Sequence, residues 1–311
     1  MNARNVVTRF APSPTGDLHL GGAMVALASW WMARTNGGRF VVRMEDIDTP
    51  RVVKGAAENI LRDLTWLGLE WDGDVVAQST RTAKYVAALD ALTAKNLIYM
   101  CDCSRAELAR IASAPHANEE IVYPGICRSL SPTREMKRQP ALRVKVPSGS
   151  LEEISFEDEL RGICTQNLSE GVGDFVIRRS DDVFSYQLAV IVDDIDQAVT
   201  HVIRGDDLLA STPRQIYLAN QLGRTPPRYL HLPLVVDTTG ERIAKRSAAA
   251  HIPALRERGI SRDEILGELM HALGLTPAAR PMTPAEIAAL APLPGWPKTV
   301  DSRSWTPPSR W

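Results

Sequence analysis

A polar loop near the amino terminus combines residue types that suit the binding of a phosphate group. Residues 9–22 read R-F-A-P-S-P-T-G-D-L-H-L-G-G. The prolines stiffen the loop, and Gly21 and Gly22 begin a predicted helix, where backbone N–H groups and the helix dipole favour an anion. His19 beside such a site can donate to a phosphate oxygen. The alternative is a turn that only caps the helix.

Three charged residues that are far apart in the sequence have side chains suited to a small charged ligand. Arg9 and Arg204 carry planar guanidinium groups that match carboxylates, and Glu45 can pair with an ammonium group. A single arginine would more often form a surface or structural ion pair. Placement at strand ends, together with the match of these residues to the pattern of a known family, favours ligand contacts instead.

Three of the four cysteines form a cluster that indicates a metal site. Cys101 and Cys103 are followed by Cys127, and three thiolates within 27 residues suit tetrahedral zinc. A closed structural site needs a fourth ligand, and His116 is the chemically easier candidate because neutral imidazole binds zinc readily. The alternative is a set of buried, reduced cysteines without metal. Cys164 stands alone and is not expected to be functional.

The elements that must position these residues follow an α/β pattern. Strands are predicted over residues 5–10 and 40–44, with helices over 23–34 and 53–67. Strand, glycine-containing turn, helix and strand in this order open a parallel α/β unit. Ligands bind such sheets at the carboxyl ends of the strands, where the loop and the acidic cluster 45–48 fall.

The rest of the chain is expected to interrupt and then complete this unit. We predict a buried strand over 186–194, a helix over 212–222, a strand over 231–237 and a helical segment over 256–274. The predicted divisions are as follows: first Rossmann half 1–98, inserted subdomain 99–184, second Rossmann half 185–240, loop and helical region 241–275, and a proline-rich, extended tail 276–311.

Composition narrows the class of protein. The chain has 311 residues, 36 basic against 37 acidic, and 44% hydrophobic residues, which excludes a disordered or collagen-like chain. No apolar run approaches the ~20 residues of a membrane span. Four cysteines are too few for a disulfide framework, so we expect a cytoplasmic protein. RNA contact would depend on local patches, residues 128–145 and 178–179, although such charge runs are often only solvated.

The ordered motifs resemble class I aminoacyl-tRNA synthetases of the glutamyl branch. Residues 9–22 are similar to the ATP-binding "HIGH" region of that branch, and R-M-E-D-I-D-T-P-R (43–51) is similar to its second block. Further similarity lies at 186–194 and 202–208. Residues 242–246, R-I-A-K-R, occupy the place of the KMSKS loop but keep only its second lysine, Lys245.

The resemblance implies a role for each matching residue. It implies a fold of class I synthetase type, with a Rossmann-type parallel sheet, an inserted zinc-bearing α+β subdomain and a short helical carboxyl-terminal part. It assigns the catalytic roles to His19 and Lys245. It assigns glutamate binding to Arg9, Ala11, Ser13, Glu45, Tyr186 and Arg204. It assigns ATP binding to Pro12, His19, Gly21, Gly22 and Lys245. It makes Tyr123, with the spacing Y-x-x-x-C, the expected fourth ligand of one structural zinc ion beside Cys101, Cys103 and Cys127.

The short region after Lys245 leaves no room for a helical anticodon-reading domain, so the chain resembles the truncated branch, the glutamyl-Q tRNA(Asp) synthetases. That resemblance implies activation of L-glutamate by ATP, with its Mg²⁺, without tRNA, and transfer of the glutamate to queuosine at the wobble position of tRNA(Asp). Two alternatives remain: a truncated glutamyl-tRNA synthetase that charges a tRNA 3′ end, and a non-catalytic, zinc-stabilised RNA-binding module. The sequence does not define the oligomeric state; we expect a monomer.

Overall fold

The structure is a computed structural model, and it describes the chain with several gaps. The described residues are 6–104, 106–108, 122–147, 153–237, 239–240, 250–292, 296–298, 300–301, 304–308 and 311. Lys245 and the rest of the KMSKS-like loop lie outside them, as does His116.

Ten strands and nine helices of α type are present in these ranges. The strands are β1 Val7–Phe10, β2 Arg39–Met44, β3 Val76–Ala77, β4 Ile98–Cys101, β5 Ala141–Val144, β6 Glu153–Asp158, β7 Gly162–Asn167, β8 Phe175–Arg178, β9 His201–Gly205 and β10 Arg228–Leu232. The helices are α1 Leu20–Thr35, α2 Ala56–Leu67, α3 Thr82–Ala94, α4 Leu168–Gly171, α5 Tyr186–Asp196, α6 Thr212–Gln221, α7 Ile252–Glu257, α8 Arg262–Ala272 and α9 Pro284–Ala288.

The main sheet has seven strands in the order β3-β2-β1-β9-β10-β6-β7. All neighbours pair in parallel except β6 and β7, which form an antiparallel hairpin at one edge. β1 lies between β2 and β9, so the order of the strands reverses there. Parallel sheets of this kind form ligand sites outside the carboxyl ends of the strands at the point of reversal. The expected parallel α/β architecture is confirmed.

A second, antiparallel sheet of three strands, β4-β5-β8, belongs to the inserted region. Cys101 is the last residue of β4 and therefore stands at the edge of this small sheet. The hairpin β6–β7, although it comes from the same part of the sequence, joins the main sheet, where Asp158 is paired with Tyr229 of β10. The inserted region thus contributes backbone to both sheets.

The prediction of a buried strand over residues 186–194 was wrong. This segment begins α5, which packs on α3, α6 and β8. Its central residues, from Leu188 to Val192, are all buried. A helix that is surrounded on all sides shows a continuous apolar run, which periodicity alone does not distinguish from a buried strand. The acidic end, Asp193 and Asp194, is buried as well.

Three other boundaries differ from the expectations. The helical segment predicted over 256–274 is divided between α7 and α8, which are separated by residues 258–261. The strand predicted over residues 231–237 is β10, which ends at Leu232, and Val235 instead forms an isolated bridge with Trp305 of the tail. The described part of the tail combines extended segments with the short helix α9, whose capping box joins Thr283 and Glu286. Ile287 of α9 is fully buried in the same core cluster as α1. No helix within the described ranges has the length and apolar character that crossing a bilayer requires.

Candidate active site and candidate metal centre

One cavity of about 770 Å³ opens where β1, β2 and β9 end. Ligand sites commonly have volumes in this range. Every described residue that the sequence analysis assigned to glutamate or ATP lines this cavity. These are Arg9, Ala11, Pro12, Ser13, His19, Gly21, Gly22, Glu45, Tyr186 and Arg204. The structure therefore brings together residues from four separate stretches of the sequence, while their individual roles stay predictions.

The amino-terminal end of α1 faces the cavity, and His19 is its N-cap. The Nδ1 atom of His19 accepts a hydrogen bond of 3.1 Å from the backbone N–H of Gly22. Nδ1 must be unprotonated to accept, so the ring is neutral and carries its proton on Nε2. A neutral donor at a helix amino terminus suits a phosphate oxygen.

The space around the two glycines at this helix start is tight. A Cβ atom on Gly22 would lie 2.9 Å from Cδ1 of Leu18, which is buried. On Gly21 it would lie 3.1 Å from Nδ1 of His19. A side chain at either position would therefore press on the residues that shape the loop, and at Gly21 it would press on the capping imidazole itself.

A ladder of charges lies behind one wall of the cavity, and only two of its members, Arg9 and Glu45, line the cavity itself. Arg43, fully buried, lies 2.8 Å from an oxygen of Asp194 and 3.3 Å from Oε1 of Glu45. Nε of Arg9 lies 3.4 Å from Asp194, and Nη1 of Arg9 donates to the carbonyl oxygen of Ile203. Asp194 thus stands between the two arginines.

A positively charged ligand beside Glu45 would stabilise the ionised form of its carboxylate. Burial raises the pKa of Glu45 above its usual value, although the charges of Arg43 and Arg9 oppose this. A ligand ammonium group beside this carboxylate would favour its ionised form. The geometry agrees with the expected ammonium contact.

Hydrogen bonds to four neighbouring side chains hold the Arg204 guanidinium in one orientation. Its Nε donates to Nε2 of His231 at 2.9 Å, and Nη2 donates to Thr212 at 2.7 Å. Nη1 donates to Gln215 at 2.8 Å and to Oη of Tyr186 at 3.4 Å. The guanidinium is thus fixed in orientation before any ligand binds. Burial raises the pKa of Tyr186, which keeps its hydroxyl neutral and able to donate a hydrogen bond.

Several residues around the cavity were not assigned from the sequence. Arg43 belongs to the R-M-E-D block and Asp194 to the acidic end of the 186–194 segment, so both stood inside motifs already recognised. His251 lines the cavity, with its ring centroid 6.4 Å from that of His19. His231 and Asp158 gave no signal, since neither belongs to a motif that suggested a role.

The cysteine cluster forms a compact donor set away from this cavity. The three Sγ atoms lie within 4.8 Å of one another, and Cys103 and Cys127 are 3.6 Å apart. Oη of Tyr123 lies 3.4 Å from Sγ of Cys101 and 3.9 Å from Sγ of Cys103. Zn–S bonds of about 2.3 Å in a tetrahedron separate the donor atoms by about 3.8 Å. The four donors therefore fit a zinc ion.

The surroundings of Tyr123 also fit a ligand role. Burial raises the pKa of this phenol, so it would lose its proton only beside a strong cation. The guanidinium of Arg143 lies 3.8 Å from the ring centroid and adds positive charge there. Gly173 permits the approach of the Tyr123 backbone, because a Cβ at that position would lie 2.4 Å from the Tyr123 carbonyl oxygen.

The basic residues of segment 128–145 mostly have acidic or carbonyl partners nearby. Both Nη atoms of Arg134 donate to Asp102, at 2.7 and 2.6 Å. Arg128 pairs with Asp174 at 2.9 Å, and Arg138 pairs with Glu107 at 2.6 Å. These pairs stabilise the loops around the cysteines and reduce the positive charge available to RNA. The RNA contact of this segment stays a prediction.

Comparison with known proteins agrees with this geometry. The family model described as tRNA synthetases class I (E and Q), catalytic domain, matches residues 5–285. A glutamyl-Q tRNA(Asp) synthetase of Thiobacillus denitrificans is 48% identical over 293 residues, 94% of this chain and 91% of that protein. The protein of that name from Geobacter sulfurreducens is 48% identical over 285 residues, 91% of this chain and 87% of that protein.

Solved structures show the same relationship. A glutamate-tRNA synthetase from Elizabethkingia anophelis superposes with a TM-score of 0.82 at 26% identity, covering 98% of this chain and 68% of that one. A methionyl-tRNA synthetase of Mycobacterium tuberculosis, at 12% identity and a TM-score of 0.58 over 85% of this chain and 64% of that one, shares the fold. The chain therefore belongs to the class I tRNA synthetase catalytic-domain family and, within it, to the glutamyl-Q tRNA(Asp) synthetases.

Proposed function

We propose that this chain activates L-glutamate with ATP, without needing tRNA for that step, and transfers the glutamate to queuosine at the wobble position of tRNA(Asp). One observation carries the proposal. Two buried guanidinium groups, from β1 and β9, and the carboxylate of Glu45 after β2, whose side chain is 10% exposed, meet in a cavity that also contains the capped start of α1. This arrangement complements a dicarboxylate with an ammonium group, beside a triphosphate.

The charges of glutamate match the wall of the cavity. Arg204, with the hydroxyl of Tyr186 beside it, is placed to bind one carboxylate, and Glu45 is placed to bind the ammonium group. Arg9 supplies the second guanidinium group. Ala11 and Ser13 complete the pocket along the loop that follows β1. Because Arg9 and Arg204 are buried, their hydrogen bonds to charged groups are stronger than they would be in water.

The nucleotide would lie across the start of α1. Pro12, Gly21 and Gly22 allow its close approach, and Nε2–H of His19 can donate to a phosphate oxygen. Lys245 is assigned to the charge that develops on the α-phosphate and the leaving pyrophosphate. Mg²⁺ would accompany ATP, bound mainly by the phosphates.

The reaction would need no nucleophilic side chain. A glutamate carboxylate oxygen attacks the α-phosphorus of ATP, and the bond to pyrophosphate breaks. A hydroxyl of the modified nucleoside then attacks the carbonyl of the glutamyl-adenylate, and AMP leaves. The enzyme contributes position and electrostatic stabilisation, which usually account for most of the rate enhancement in such transfers.

A structural zinc ion bound by Cys101, Cys103, Tyr123 and Cys127 would stabilise the inserted region, separately from the reaction. We infer that the enzyme works in the cytoplasm, since the proposed reaction uses ATP and tRNA. The same proposal makes tRNA(Asp) that carries queuosine the macromolecular partner.

Glutamate-dependent ATP–pyrophosphate exchange by the purified chain, with and without tRNA, tests the first step. Exchange without tRNA supports the proposal, and its absence at saturating ATP and glutamate would instead favour the non-catalytic RNA-binding module. Transfer of labelled glutamate to tRNA(Asp) with and without queuosine, and to tRNA(Glu), tests the second step. Labelling of only the queuosine-containing tRNA supports the proposal, whereas labelling of tRNA(Glu) would identify a synthetase that charges a 3′ end.

A further inference from the structure

A buried chain of hydrogen bonds connects the hairpin β6–β7 to the glutamate side of the cavity. It runs from Asp158 through His231 to Arg204, and these three residues are at most 3% exposed. His231 on β10 is the register partner of Arg204 on β9. Register partners on neighbouring strands present their side chains on the same face of the sheet. The two side chains therefore meet because of the pairing of the strands.

The partners of His231 define its protonation state. Nε of Arg204 is always a donor, so Nε2 of His231, at 2.9 Å, must accept. The proton therefore lies on Nδ1, which is 2.7 Å from Oδ2 of Asp158 and donates to it. Burial lowers the pKa of His231, which agrees with a neutral ring. Two contacts on opposite sides of the ring thus require the same tautomer.

Asp158 is itself fixed by backbone groups. Its Oδ1 accepts from the N–H groups of Leu160 and Arg161, and its Oδ2 also accepts from the N–H of His231. Burial alone would raise the pKa of Asp158, but the hydrogen bonds from His231 and Arg161 hold it below its usual value. The carboxylate is therefore ionised and orients the imidazole.

At the other end of the chain, the Arg204 guanidinium has little freedom. Four of its five N–H groups have acceptors among the residues that the structure describes: His231, Thr212, Gln215 and Tyr186. The ring of Tyr229 lies 5.3 Å from the guanidinium and is stacked on His231. Buried charge networks of this kind are weak evidence for stability, because apolar residues of similar volume often stabilise a fold as well. Their value in a site is to fix a binding group in one geometry.

We propose that His231, oriented by Asp158, is a positioning residue that holds the Arg204 guanidinium at the angle needed to bind a carboxylate of glutamate. The proposal rests on the proposed function, since it takes glutamate as the ligand of Arg204. His231 touches neither substrate in this scheme. It acts on Arg204 directly and through Thr212, whose Oγ1 lies 3.2 Å from Nε2 of His231 and accepts from Arg204. Its removal should therefore weaken glutamate binding and leave ATP binding nearly unchanged.

Two substitutions of His231 separate its two contacts. In His231→Gln the side-chain oxygen can occupy the place of Nε2 and accept from Arg204. In His231→Asn the amide can still donate to Asp158 but does not reach Arg204. His201, at the start of the neighbouring strand β9, is the matched control, because it contacts Thr200 and lies outside the cavity lining.

The experiment measures the KM values for glutamate and ATP in pyrophosphate exchange, together with the melting temperature, for each variant. We expect His231→Asn to raise the glutamate KM by about tenfold to hundredfold, the usual effect of losing a hydrogen bond to a charged group. The ATP KM should stay within about threefold, His231→Gln should recover most of the loss, and His201→Asn should change neither constant. Equal effects of Asn and Gln, or parallel rises in both KM values, would overturn the proposal.

Nitrogen NMR of the histidine rings in the unsubstituted chain tests the contact between His231 and Arg204 without an activity measurement. The His231 signals, assigned by their absence in His231→Gln, should show a neutral ring protonated on Nδ1 from about pH 6 to about pH 8. A protonated ring, or a proton on Nε2, would overturn the proposal even if His231→Asn fails to fold. Absence of exchange by the unsubstituted chain would count against the proposed function, while the tautomer still reports on the positioning contact.

Discussion

The cavity and the cysteine cluster are assembled in opposite ways. Residues that are far apart in the sequence, such as Arg9, Glu45 and Arg204, converge on the cavity, and the charges around it border an open space. The cysteine cluster collects its donors from 27 consecutive residues, and its neighbouring charges pair with one another, as Arg134 does with Asp102. The first arrangement suits a ligand with charges of its own, and the second could hold a metal ion.

Because the two regions differ in this way, substitutions in them should have different consequences. Loss of a cavity residue should impair substrate binding while the fold persists. Loss of a cysteine should release the metal and loosen the inserted region, while the cavity residues keep their positions on the main sheet.

The largest effect is expected for Arg204→Ala. The substitution removes a buried guanidinium group and leaves a bound carboxylate without its partner, so the glutamate KM should rise by about a hundredfold or more. Steady-state exchange measures it. Arg228→Ala, at the exposed start of β10, is the control and should leave the KM unchanged. An unchanged glutamate KM in Arg204→Ala would remove this residue from the binding pocket.

Cys127→Ser should impair the cysteine cluster and leave the cavity intact. Replacing one thiolate should reduce bound zinc from about one ion per chain to a small fraction of this. The melting temperature should fall by about 5 °C. Elemental analysis after dialysis and a thermal melt measure the two effects. Cys164 lies outside the cluster, so Cys164→Ser should retain the metal. A wild-type chain that is stable and free of metal would contradict the zinc assignment.

The same measurement of bound zinc distinguishes Tyr123 from His116 as the fourth ligand. Tyr123→Phe keeps the ring under Arg143 but removes Oη, so it should weaken zinc binding while His116→Ala does not. The reverse result would identify His116 as the ligand.

Gly21→Ala should have a smaller effect that is confined to the nucleotide. The new Cβ would lie 3.1 Å from Nδ1 of His19 and would push the ring from its capping position. We expect the ATP KM to rise by about tenfold, comparable to the loss of one hydrogen bond to a charged group, with the glutamate KM little changed. A rise in the glutamate KM alone would show that this helix start does not bind the nucleotide.

The smallest effect on activity is expected at Asp63, a buried residue of α2, where a substitution should change only the stability of the fold. Burial raises its pKa to about 6, although the charge of Arg256 opposes the shift. Because the pKa in the folded state exceeds the unfolded value, the ionised carboxyl destabilises the fold above about pH 6, and this cost disappears as the pH falls toward about 4. Asp63→Asn should therefore increase the free energy of unfolding by up to about 3 kcal/mol at pH 8 and by almost nothing near pH 4. Urea denaturation at the two pH values measures this, and a less stable variant at pH 8 would show that the attraction between Asp63 and the charge of Arg256 outweighs the cost of burial.

The sequence predicted the parts of this molecule that depend on local pattern. The Pro/Gly loop, α1 and the strands β1 and β2 follow from periodicity and turn residues. The wrong assignment of residues 186–194 arose because a fully buried helix has no polar face to reveal its period. The resemblance to a known family assigned Arg9, Glu45, Tyr186 and Arg204 to one pocket, and in the structure all four line the same cavity.

Other features depend on contacts between distant residues and had no local signal. His231 meets Arg204 only because β9 and β10 pair in one register, and Asp158 reaches His231 only because the hairpin β6–β7 extends the main sheet. A count of charges likewise does not reveal that basic residues of segment 128–145 form ion pairs with nearby acidic residues. The proposed divisions between domains and the role of Lys245 stay predictions.

The most direct test of the central claim is a crystal structure of the chain bound to a non-hydrolysable analogue of glutamyl-adenylate. We expect the free side-chain carboxylate of the glutamyl group at Arg204 and Tyr186, its ammonium group at Glu45, and the phosphate beside His19 and the start of α1. A glutamyl group that lies elsewhere, with Arg204 and Glu45 in contact only with protein, would contradict the account.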